Sequence, residues 1–85
     1  MWSTRIEVSI SEKLQAFVNN PNDAGLAASI RSDMAALRGL RDKWNTLPSE
    51  RLSDGEVLGK NGKAYNLAMQ TINNLELRLT QQRLR

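Results

Sequence analysis

The sequence predicts an all-α fold: an antiparallel helical hairpin with an additional N-terminal helix. Three observations carry this. Residues 63–84 and 24–46 each place apolar side chains on one helical face. A polar connector over 47–62, with Asp54-Gly55 and Asn61-Gly62, separates them. Pro21, within Asn19-Asn20-Pro21-Asn22-Asp23, closes off a helical segment before them. The 85 residues form one domain, 1–85, near the lower size at which a single core suffices, so association with a partner or a second copy is expected.

The N-terminal segment supports two readings. Ile6, Ile10, Leu14, Phe17 and Val18 recur at three- and four-residue spacing, which predicts a helix over 4–19 beginning after Ser3. Ile6, Val8 and Ile10 also alternate with Arg5, Glu7 and Ser9, the period of a β-branched strand. In that case a helix would start later, with Ser9 and Glu12 at capping-box spacing. Helix is preferred, because a lone strand leaves its edge groups unmatched unless a second chain pairs with them.

After the first break, Asn22 or Asp23 can cap the second helix. At about 100° per residue, Leu26, Ile30, Met34, Leu37, Leu40, Trp44 and Leu47 share one arc, interrupted by Asp33 and Arg41. Gly39 lies away from that arc and reads as a surface glycine rather than a point of close approach by a second subunit. The connector is expected to be a loop, with a short helical turn over Pro48–Leu52 where proline suits a first helical position.

The last helix, 63–84, has Tyr65, Ala68, Met69, Ile72, Leu75 and Leu79 on one face. Leu77 and Leu84 are seven residues apart and form a second apolar line beside it, and Leu67 widens that side. Phe17, Trp44 and Tyr65 are expected in the core. Trp2 is expected to cap the bundle or dock on a partner.

Composition removes many functions. The chain has neither Cys nor His, which excludes disulfides, Cys or His metal ligation, a Cys nucleophile and a His base. No metal or cofactor is expected. Gly59-Lys60-Asn61-Gly62 lacks Walker spacing, and Asp54 and Glu56 read as solvated loop acids. No apolar run approaches the roughly 20 residues of a membrane span, and no leader pattern is present, so a cytoplasmic protein is expected. The net charge of +3 is concentrated at the end: Lys60, Lys63, Arg78, Arg83 and Arg85 face a single acid, Glu76. Cations at a helix C-terminus favour its dipole without any ligand.

Arg5-Ile6-Glu7-Val8-Ser9-Ile10-Ser11-Glu12 resembles the strand and first helix start of ribbon-helix-helix DNA-binding proteins, small antitoxins included, with Gly25-Leu26 near their helix junction. That resemblance implies a dimer whose paired strands enter the major groove and present Arg5, Glu7 and Ser9 to the bases. Glu7 and Pro21 depart from the pattern. Pro21 to Ala28 is also similar to the turn of type III secretion needle subunits, but the second connector is one that a two-helix subunit lacks.

The function expected is non-enzymatic: a small helical protein–protein interaction module such as an adaptor, inhibitor, chaperone or assembly subunit, of bacterial or phage character. Its partner is another protein or a second copy, met through Trp2, Leu67, Leu77, Arg78, Arg83 and Leu84. Nucleic acid is the less favoured partner, through the dimeric ribbon-helix-helix alternative with its C-terminal helix.

Overall fold

The computed structural model describes residues 4–84. Helix α1 spans Thr4–Asn19, α2 spans Ala24–Thr46 and α3 spans Lys63–Gln81, with two short strands, β1 (Ser49–Arg51) and β2 (Val57–Gly59), between α2 and α3. The fold is mostly helical, as expected, but not strictly all-α. The molecule is a rod of 52 × 19 × 17 Å. A 23-residue helix is about 35 Å long at 1.5 Å per residue, so no single helix runs the full length of the rod.

Residues 4–10 are helical, which decides the ambiguity at the N-terminus. The apolar spacing prevails because Ile10, Leu14 and Phe17 are buried together against α2, whereas a strand there would find no ladder partner. The ribbon required by the ribbon-helix-helix alternative is therefore not formed. Val18 falls just outside the buried stripe and is exposed.

α1 ends where the sequence breaks: the amides of Asn20 and Asp23 close short turns onto Ala16, Phe17 and Asn20 carbonyls. Asp23 then caps α2, its carboxylate accepting from the Leu26 amide at 3.0 Å. α2 packs on both other helices. Its buried Ala27, Ile30, Met34 and Leu37 meet Ile10, Leu14 and Phe17 of α1 and Ile72, Leu75 and Leu79 of α3 in one core cluster, with Leu26, Leu40, Ile6 and Met69 at its margin.

Ion pairs tie the helices outside the core. Asp33, an interruption of the apolar arc, accepts from Ser9 Oγ at 2.9 Å and from Lys13 Nζ at 2.7 Å. Burial by itself would raise its pKa, but those bonds and the Lys13 charge hold it below the ordinary aspartate value. Arg38 grips Glu76 with both ends of its guanidinium, at 2.6 and 3.0 Å, and the bonded carboxylate raises the Arg38 pKa further.

The connector forms no helical turn at Pro48–Leu52. It is a β-hairpin with register Ser49↔Gly59, Glu50↔Leu58 and Arg51↔Val57. Its loop is set by the Asp-Gly dipeptide. The Gly55 amide bonds the Leu52 carbonyl at 2.9 Å, Asp54 Oδ1 accepts from the Glu56 amide at 3.0 Å, and Gly55 takes φ +88°. Gly59, at φ +76°, lies so close to the Pro48 carbonyl that a Cβ would collide with it.

α3 stops three residues earlier than expected. Arg83 adopts the left-handed conformation, φ +59°. The Arg83 amide bonds the Thr80 carbonyl and the Leu84 amide bonds that of Leu79, at 3.1 and 2.8 Å. This pair of bonds is a Schellman motif, which reverses the chain and sets an apolar residue after the helix against its last turn. Leu84 is accordingly buried in the core at 2 % exposure, and its carbonyl accepts from Arg31 Nε. The expected second line of Leu77 and Leu84 thus does not exist, because seven-residue spacing aligns side chains only while the helix continues.

Candidate contact surface

α3 is built with two opposed faces. Its core face centres on Ala68, Ile72, Leu75 and Leu79. About 180° around the helix at 100° per residue, Leu67, Gln70, Asn74, Leu77 and Gln81 form a continuous exposed stripe at alternating three- and four-residue steps. Leu67 is 65 % and Leu77 58 % exposed.

This outer face carries no exposed charge between Lys63 and the end of the helix, since Glu76 and Arg78 lie to the sides and are partly buried. Asn66 and Asn73 flank the stripe. The exposed residues of α1 and α2, by contrast, include Arg5, Glu12, Arg31, Asp42 and Lys43. A helix face toward water normally carries charge, and loss of charge with retention of large apolar side chains is the composition of a contact surface.

At its N-terminal end the face runs into an apolar groove of about 550 Å³ between the hairpin and α3, lined by Trp44, Val57, Leu58, Ala64 and Leu67 among others. A second groove, about 290 Å³, continues from Trp44 and Leu67 toward Thr4, Glu7 and Thr71. Leu58 is half-exposed at the rim. Trp44 is only partly buried, less than its arc predicts, because the hairpin stands off and leaves the groove beside it. Its ring meets Tyr65 edge-on at 6.2 Å, and Tyr65 OH donates to Asn45 Oδ1 at 2.6 Å. Trp44 Nε1 is buried without a hydrogen-bond partner among the described residues.

The residues expected to meet a partner are thus dispersed. Leu67 and Leu77 share the outer face of α3; Arg78 lies at its side; Arg83 is exposed at the helix end but constrained by the chain reversal; and Leu84 is withdrawn into the core. Trp2 and Arg85 lie outside the described residues. Of the residues assigned to the DNA-binding alternative, Arg5 is exposed, while Ser9 is engaged with Asp33 and Glu7 is partly buried. The basic residues of the C-terminal third form no single patch: Lys60 and Lys63 stand at the start of α3 and Arg78 and Arg83 at its end, roughly 20–30 Å apart at helical rise. Sequence reasoning missed Leu58, Gln70 and Asn74. The three- and four-residue steps through Gln70 and Asn74 were present in the sequence, hidden by their polarity, whereas Leu58 depended on the hairpin.

Among the described residues, no group of three or more Asp or Glu side chains is placed to hold a metal ion, and no helix is long and apolar enough to cross a membrane. No protein-family model, curated protein or solved structure matches the chain.

Proposed function

We propose that this protein acts without catalysis, as a helical contact module whose working surface is the outer face of α3. The observation that carries this reading is the uncharged, leucine-bearing stripe on a helix whose opposite face already fills the core. Such a face costs solubility if left bare, and its two exposed leucines add nothing to the core, so covering it is what it contributes. The amides of Gln70 and Asn74 can donate and accept, which makes the centre of the stripe suited to specific pairing rather than to simple hydrophobic adhesion.

The reading is tested with a photo-crosslinking residue placed at Asn74, and at Arg31 as a control, in cells producing the protein. Adducts from position 74 that disappear with Leu77→Asp are expected. Adducts that form equally from position 31, or that survive Leu77→Asp, would refute the α3 face as the working surface.

A further inference from the structure

The stripe on α3 matches itself. We propose that the occupant of this face is a second copy of the chain, docked with its α3 antiparallel about a two-fold axis level with Ile72. The inference rests on the contact-module reading above and names its partner.

The register follows from the residues. Laying the stripe antiparallel on itself at that level places Leu67 opposite the partner's Leu77, Gln70 opposite the partner's Asn74, and Lys63 opposite the partner's Gln81. The two-fold axis repeats each pair. Apolar meets apolar in two layers, amide meets amide in the two central layers, and the positions alternate by three and four residues as helix packing requires. Sliding one copy by a heptad would set Leu67 against Gln70 or Leu77 against Asn74, burying amide groups against leucine without partners. The central amides therefore select one register, at some cost in affinity.

Shape selects the direction. In a parallel pair Lys63 would meet the partner's Lys63, and both hairpins, which lead directly into the start of α3, would crowd at one end. In the antiparallel pair the hairpins lie at opposite ends. Each Lys63 approaches the C-terminus of the other α3, where the helix dipole favours a cation but Arg78 and Arg83 already stand. Directly across the stripe Lys63 faces the neutral Gln81, but Lys60 and Lys63 of each copy share an end with Arg78 and Arg83 of the other, a repulsion that weakens the pair and is relieved by salt. The groove beside Leu67, floored by Trp44 and edged by Leu58, lies where the partner's Leu77 arrives. A single helix pair buries less than the roughly 1,200 Å² of a standard interface, so the dimer is weak and concentration-dependent.

Sedimentation equilibrium across a concentration series tests the association. The expected result is a mass rising toward twice that of the chain, abolished by Leu77→Asp and by Leu67→Asp, and unchanged by Val18→Asp on the exposed side of α1. Circular dichroism should give the same helix content for all three. The chain has no cysteine, so disulfide trapping reads the register directly. A mixture of Gln70→Cys and Asn74→Cys chains should oxidise preferentially to the mixed dimer. A monomer at every concentration overturns self-pairing. Preferential 70–70 and 74–74 disulfides overturn the antiparallel register. If the wild-type chain stays monomeric while position 74 crosslinks to a different protein in cells, the self-pairing fails and the contact reading stands.

Discussion

The reversal at the end of α3 makes opposite predictions for adjacent residues. Arg83 sits at φ +59°, where a side chain costs about 1–2 kcal/mol relative to the right-handed region. Arg83→Gly removes that cost and returns part of it as glycine's greater unfolded-state freedom, for a net stabilisation of about 0.5–1 kcal/mol. Leu84→Ala instead removes a side chain that is 2 % exposed and belongs to the core cluster. Core leucine truncations cost about 2–5 kcal/mol; the lower half applies here, since Leu84 also borders a solvent-open cleft with Phe17 and Ala27. An 85-residue domain has about 4–13 kcal/mol in total at typical stability per residue. Leu84→Ala should therefore be plainly visible. Urea denaturation followed by circular dichroism, at a concentration too low for self-association, measures both. Were α3 to continue through residue 84, Gly at 83 would cost up to about 1 kcal/mol as a helix-interior glycine, and Leu84→Ala would be nearly silent. Those two signs together would refute the reversal and restore the exposed Leu77–Leu84 line.

Four further outcomes are expected. Trp44→Ala should cost about 2–3 kcal/mol rather than the 3–5 of a fully enclosed aromatic, because one side of the ring faces the groove; Trp44→Phe should cost under about 1 kcal/mol, since it removes a buried donor that has no partner. Stability should fall as pH drops below about 4: a carboxylate with a depressed native pKa contributes fully above its unfolded value of roughly 3.9 and loses that contribution as pH falls through the native value. Asp33→Asn should flatten this part of the acid limb in denaturation midpoints against pH, by under about 1 kcal/mol for such partly exposed pairs. Gly39→Ala should stabilise by about 0.5–1 kcal/mol, as nothing lies within 4 Å of its Cβ position on an exposed helix. Gly59→Ala should destabilise the hairpin, seen as loss of amide-exchange protection at Lys60, because both its φ and the Pro48 carbonyl exclude a Cβ.

The helices were legible because their information is local and repeated. The arc from Leu26 to Trp44 and the core face of α3 each state one period many times, so an interruption such as Asp33 does not obscure it. The Asp23 cap and the Pro21 break are likewise written in residues that act on their own backbone. The hairpin was not legible as strands: each has three residues, β1 is wholly exposed, and so short a run shows no alternation. Only its turn dipeptide, Asp54-Gly55, spoke for it.

Residues 4–10 satisfied two periods at once, and tertiary packing against α2 chose between them, since Ile10 and Leu14 bury as a helix while a strand would find no ladder partner among the described residues. The contact surface divides in the same way. Leu67 and Leu77 were visible from spacing, which specifies a direction around a helix axis. The fate of Leu84 depended on whether that axis continued, and the hydrogen bonds from Arg83 and Leu84 back to Thr80 and Leu79 ended it. A periodic pattern determines which side chains share a face. Whether the face is buried, exposed or cut short is decided by what the rest of the chain brings against it.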